Sequence, residues 1–259
     1  MKAIWTGSLS FGLVNIPINL YSAISEHRFG FKTLCGKCHN PISYIRWCEH
    51  CKKNIEWNSV VKGFQKRNNN FFVLTKDALK KLRPEKDDIL TIKEFISQAD
   101  IDLLYTNNHY YMRPKKENDK AFYLFLEALK KSKRVAIGQF VMHEKEHLAM
   151  INSYHDVLLL NTLHYEYEIR TLDIKDRKKI AKPTKQELDL ALELIDKLTH
   201  KKFALSMYKD TYVEKLKKVL KTVESGQKIR IRTEKKRSPA KKSILNSLRA
   251  SLQEELRRH

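Results

Sequence analysis

Four cysteines stand closest to recognisable chemistry: Cys35, Cys38, Cys48 and Cys51, spaced as two Cys-x2-Cys pairs nine residues apart. Paired thiolates at this spacing suit tetrahedral zinc with Zn–S of about 2.3 Å, and a site with four protein ligands leaves no position for reactive water. The expected cofactor is therefore structural zinc, holding a loop together and catalysing nothing. A redox pair is the poorer reading, because no strand-CxxC-helix pattern surrounds the thiols. Lys32, Lys37, Arg46, Lys52 and Lys53 decorate the same stretch.

A second pattern, His143-Glu144-Lys145-Glu146-His147, reproduces the HExxH of zinc peptidases in letters. That chemistry needs a helix, so that both imidazoles share one face. The flanks alternate instead: Val135, Ile137, Gln139 and Val141 on one side, Leu148, Met150 and Asn152 on the other. The motif is expected at a hairpin tip, where hydrolysis is the poorer reading. Seven scattered Gly permit no phosphate-cradling loop, and Asp87-Asp88, Asp100, Asp102, Glu144 and Glu146 form no arrangement that singles out magnesium. No other enzyme signature is found and no catalytic residue is assigned; a metallohydrolase using His143, Glu144 and His147 stays as a minor alternative.

Charge points to the partner. Lys and Arg number 51 against 30 Asp and Glu, a formal net charge of +21 over 259 residues. The excess is +8 in 1–170 (26 − 18), +5 in 171–226 (14 − 9) and +8 in 227–259 (11 − 3). Such an imbalance calls for a polyanion, nucleic acid above all. Basic side chains beside aromatic or apolar strand residues are the candidate DNA contacts: Arg46, Lys62, Lys66, Arg67, Arg113, Lys115 and Lys116. If 109–113 is a strand, Tyr111 and Arg113 share a face while Tyr110 and Met112 pack behind it.

The elements that must position these residues are mostly strands. Residues 3–24 read as a bent strand pair around Gly7, Gly12 and Pro17, followed by strands at 43–47, 57–65, 71–74, 88–96 and 109–113. Helices are expected at 76–82, with Thr75 as cap and Leu79 and Leu82 inward, and at 118–132. Strands at 134–143, 147–153 and 157–165 complete a barrel or strongly curved sheet. After Arg170 the period turns helical: Thr184 caps a helix carrying Leu188, Ala191, Leu192, Ile195 and Leu198, and a second runs over 210–224 to Gly226. Two such helices lack a core of their own and should lie on the barrel or on a second chain. Residues 227–243, with Lys235 to Lys242, read as a basic linker before a last amphipathic helix carrying Leu245, Leu248 and Leu252. An apolar content of 42% supports a real core, and no run reaches the ~20 apolar residues of a membrane helix. A soluble, cytoplasmic, nucleoid-associated protein is expected.

The opening Ala3-Ile4-Trp5-Thr6-Gly7-Ser8-Leu9-Ser10-Phe11-Gly12-Leu13-Val14-Asn15-Ile16-Pro17 resembles that of the prokaryotic Ku proteins of non-homologous end joining. So do Leu20-Tyr21-Ser22-Ala23, Val61-Lys62-Gly63-Phe64, Arg134-Val135-Ala136-Ile137, Glu146-His147-Leu148, Tyr208-Lys209-Asp210-Thr211-Tyr212 and the terminal Leu245 to Leu252. The resemblance implies an α+β, mainly β fold: a Ku-type barrel with an inserted DNA-encircling bridge in 1–170, a helical arm over 171–226, and a basic linker with a partner-binding helix over 227–259. It further implies a homodimeric ring threaded by a double-stranded DNA end without sequence preference, no catalysis, and recruitment of a multifunctional ATP-dependent DNA ligase in double-strand break repair. By position the bridge includes Phe31 to Trp57, which brings the four-Cys module near the DNA. Two departures stand out: Val223 replaces an expected lysine, and the lysine-rich extension is short. The competing reading of the composition is a zinc-containing, sequence-specific nucleic-acid-binding regulator.

Overall fold

The computed structural model describes residues 1–25, 29–66, 70–82, 88–172, 182–225 and 243–257. The chain divides into two units, Met1–Leu172 and Asp173–His259.

In the first unit the alternating segments pair edge to edge until none is left open. Strands β1 (Trp5–Phe11), β2 (Val14–Ser22), β8 (Thr106–Pro114), β11 (Val157–Leu163), β10 (Lys145–Tyr154), β9 (Arg134–Met142) and β7 (Ile89–Ser97) follow one another round a closed barrel. All neighbours are antiparallel except β1 and β7, which run parallel and close the ring. Closure removes the unpaired edges that an open sheet would expose. The turn from β1 to β2 is made by Gly12 and Leu13, and Gly12 takes φ +59, a conformation glycine adopts without steric cost.

Period-two alternation puts Leu9, Ile16, Ile18, Leu20, Leu90, Met112, Ile151, Leu158 and Leu160 into the barrel interior, all essentially without solvent contact. Helix α2 (Lys120–Ser132) adds Phe122, Phe125, Leu126 and Leu129 to the same core. Its start is set by Asp119, whose carboxylate accepts from the amides of Ala121 and Phe122, and it ends at Lys133 in the left-handed region. A smaller cluster of Val135, Ile137 and Met150, packed with Ile96, Ile101, Leu148 and Leu163, lies on the opposite face of the same strands.

Between β2 and β7 the chain forms little regular structure. The short strands β3 (Trp47–Cys48) and β4 (Lys53–Asn54) pair with each other, as do β5 (Lys62–Gln65) and β6 (Phe71–Leu74), followed by the six-residue helix α1 (Lys76–Lys81). Three expectations fail here. The strand at 43–47 survives only at Trp47, because residues 43–46 find no pairing partner, and Trp57–Ser59 is a 3-10 turn, so the strand expected at 57–65 begins at Lys62. Leu82 is not inward: as the C-cap of a helix too short to reach the core it is 76% exposed.

In the second unit, α3 (Lys185–Leu198) begins at a capping box, Thr184 Oγ1 accepting from the Glu187 amide while the Glu187 carboxylate accepts from the Thr184 amide. Helix α4 (Thr211–Glu224) is capped by Asp210, and α5 (Ile244–Leu256) packs against α3. Gly226 and the linker up to residue 242 lie outside the described residues. Leu192, Ile195, Leu198, Phe203, Leu205 and Tyr208 remain exposed on this unit.

Candidate nucleic-acid interface

Strand β8 supplies the first group of candidate contacts. Tyr110 and Met112 point into the core, so Tyr111 and Arg113 emerge on the outer wall, as the alternation requires. Register sets Tyr21 of β2 beside Tyr111 and Asn19 beside Arg113, and the Arg113 guanidinium reaches 5.9 Å over the Tyr21 ring. This is cation–π distance, which holds the charge above the wall. Lys115 and Lys116 follow on exposed backbone, where the Lys115 amide donates to the Pro17 carbonyl.

The second group sits on the insertion after β2. The Arg46 guanidinium lies 4.4 Å over the Trp57 ring, and the Ile55 amide donates to the Arg46 carbonyl, tying the two ends of the Cys48 turn together. On the β5–β6 hairpin Lys62 is opposite Leu74, and Lys66 Nζ stands 5.2 Å over Phe72. Arg67 lies outside the described residues. The six described candidates thus fall on three elements, and three of them rest on aromatic rings. The sequence reading missed Tyr21, Trp57 and Phe72 as those supports. Exposed aromatics beside basic runs were the available signal for Trp57 and Phe72; Tyr21 needed the register.

The cysteines form two knuckles. Cys48 Sγ accepts from the Cys51 amide at 3.5 Å, and backbone amides of Cys51 above all pull the Cys48 thiol below its ordinary pKa. The amides of Cys38 and Lys37 do the same for Cys35, whereas Cys51 is pushed up by its hydrogen bond with Cys48. Amides aimed at sulfur stabilise thiolate, so each knuckle fits half of a tetrahedral site. The halves do not converge: among the described residues no three His, Cys, Asp or Glu side chains stand where they could share one metal ion.

The HExxH motif lies on a hairpin. His143 and Glu144 form the turn, with φ 51 and 65 as a type I′ connection demands, and His147 is already on β10. His147 Nε2 is 3.2 Å from the Met142 carbonyl, and its ring lies against Phe140. Helical zinc-peptidase geometry is absent here.

Of the proposed partner-binding residues, Leu252 is 7% exposed, Leu245 and Leu248 are half-buried, and α3 is the surface beside them. Leu188 and Ala191 of α3 with Ile244 and Leu248 of α5 line a groove of about 490 Å³.

Comparison with known proteins extends these observations. The family model described as the Ku70/Ku80 beta-barrel domain matches residues 10–190. The protein named "Non-homologous end joining protein Ku" of Desulfitobacterium hafniense is 32% identical over 254 residues, covering 97% of this chain and 87% of its own. Its namesake from Archaeoglobus fulgidus is 32% identical over 255 residues, 98% of this chain and 99% of the relative. That of Bacillus subtilis is 33% identical over 221 residues, 83% and 70% of the two chains.

Proposed function

The chain belongs to the Ku family, and we propose that two copies of it form a ring that accepts the end of a DNA duplex without consulting its sequence. The observation that carries this reading is the likeness, along nearly the whole chain, to proteins named for non-homologous end joining. Physical features agree with it. A net charge of +21 is matched by a duplex that presents one negative charge per ~1.7 Å. Phosphate contacts position a protein without reading bases, which is what an end of any sequence demands. Arg46, Lys62, Lys66, Arg67, Arg113, Lys115 and Lys116 are the proposed backbone contacts. The apolar side chains left exposed around α3 and α4 are the proposed dimer contacts, since one barrel is too small to surround a duplex.

The protein acts by holding, not by catalysis. We assign repair to a recruited ATP-dependent DNA ligase, which takes α5 through Leu245, Leu248 and Leu252 by replacing α3 against them. Leu248→Asp should abolish ligase capture while end binding persists; capture at full strength would remove α5 from the account. Structural zinc is proposed at Cys35, Cys38, Cys48 and Cys51, drawing the two knuckles together and fixing the loop that carries Arg46.

The reading is tested by native mass and by salt titration of duplex binding. A dimer is expected, with affinity falling as a steep power of salt and equal for unrelated duplex sequences. A monomer, or strong preference for one sequence among competitors, would favour a sequence-specific regulator instead.

A further inference from the structure

We propose that the β5–β6 hairpin is a stacking platform for unpaired bases, the single-stranded overhang of a broken duplex. The inference rests on the end-binding reading and specifies which part of an end this hairpin takes. A two-stranded hairpin is marginally stable in water unless something covers it. Here Phe64 and Phe72 face each other across the strands, and they are 66% and 56% exposed. By alternation Lys62 emerges on the same face, and Lys66 Nζ sits beside the Phe72 ring. On the reverse face Phe71 closes over Gly63, where an added Cβ would come within 3.3 Å of the Phe71 Cβ.

Two occupants could cover such a face, a second copy of the chain or a nucleic acid, and charge decides between them. From Trp57 to Lys76 the sequence has no Asp or Glu and four Lys or Arg. Two copies of the hairpin would set like charges against one another with no carboxylate between them. A polynucleotide supplies what is missing, phosphates for the lysines and flat π faces for the phenylalanines. Aromatic rings interleaved with basic side chains are the pattern by which proteins hold single strands regardless of sequence. Bases inside a duplex already stack on each other, so only unpaired ones have faces to offer. The exposed contact of Lys66 with Phe72 is weak, and the ammonium can swing to a phosphate as a base takes the ring.

The experiment measures binding of the full-length protein by fluorescence anisotropy to three duplexes. One is blunt, one carries a short oligothymidine overhang, and one carries an abasic overhang of equal length, which keeps the phosphates and removes the bases. The thymidine overhang should bind about tenfold more tightly than the abasic one. Phe64→Ala, which leaves the Lys66–Phe72 contact in place, should erase most of that difference and leave blunt-end affinity unchanged. Equal affinity of the wild-type chain for the thymidine and abasic overhangs would overturn the proposal without any variant. So would a Phe64→Ala variant that weakens all three duplexes alike, or one that lowers the native mass of the DNA-free protein, which would make the hairpin a contact between copies. Failure of the wild-type chain to bind any of the three would instead sink the end-binding reading, and the inference with it.

Discussion

Asn161 is a polar side chain in a barrel wall, 3% exposed, and it bridges two other strands. Its Oδ1 is 2.6 Å from His109 Nδ1 on β8, and its Nδ2 donates to Asn152 Oδ1 on β10 at 2.8 Å. With the amide so oriented, His109 carries its proton on Nδ1 and donates. Asn161→Ala removes an acceptor and a donor together, stranding one polar group on each neighbouring strand. A stranded buried group costs about 1–3 kcal/mol, and half-buried His109 recovers part of its loss from water, so we expect about 3 kcal/mol in all. Asn152→Ala strands Asn161 Nδ2 and gives up the long 3.3 Å bond from Asn152 Nδ2 to the Ser153 carbonyl, and should cost about 1–2 kcal/mol. The assay is thermal unfolding of the DNA-free protein at one concentration, followed by the fluorescence of tryptophans that include Trp5, whose indole donates to the Val141 carbonyl in the barrel. At about 2–4 °C per kcal/mol for a domain of this size, Asn161→Ala should lower the midpoint by about 6–12 °C. An unchanged midpoint for Asn161→Ala, or a larger loss for Asn152→Ala, would refute the network argument.

Gly138→Ala should destabilise the barrel by about 1–3 kcal/mol, because the new Cβ would lie 2.5 Å from the Thr91 carbonyl oxygen and 3.2 Å from a Leu90 methyl; a urea midpoint equal to wild type would show that β7 yields freely. The Thr184 amide, and then its hydroxyl, hold the Glu187 carboxyl below its ordinary pKa. The folded value lies below the unfolded one, so this contribution to α3 is present above about pH 4.3 and fades as pH falls through the folded value. Circular dichroism during acid titration should show Glu187→Gln losing less helix than wild type over that range, and superimposable curves would contradict the assignment. Elemental analysis should find one zinc per chain, removed by Cys35→Ser and untouched by His147→Ala; metal that follows His147 would reverse the assignment.

Much of the barrel was legible because hydrophobic alternation and turn chemistry agree locally. Residues 134–163 show it best: the inward set Ala136, Phe140, Ala149, Ile151, Leu158 and Leu160 follows from period two, and the same period placed His143 and Glu144 in a turn instead of on a helix. Thr75 and Thr184 likewise announce helix starts. Residues 43–46 and 57–61 were illegible for the complementary reason: apolar and β-branched residues favour a strand only where a partner is available, and local sequence does not say whether one is. Cross-strand facts were hidden too. The Arg113–Tyr21 contact depends on the β2–β8 register, which a single segment does not encode. The amphipathic pattern of α5 showed an apolar face at Leu245, Leu248 and Leu252, but could not say that α3 would meet it.

In the proposed ring DNA enters through its terminus, and competition for the purified protein between a linear duplex and the same sequence covalently closed into a circle measures this. The account predicts that the linear form competes fully and the circle scarcely at all, with the circle becoming a competitor once it is cut at a single site. Equal competition by intact circle and linear duplex would show that no end is needed.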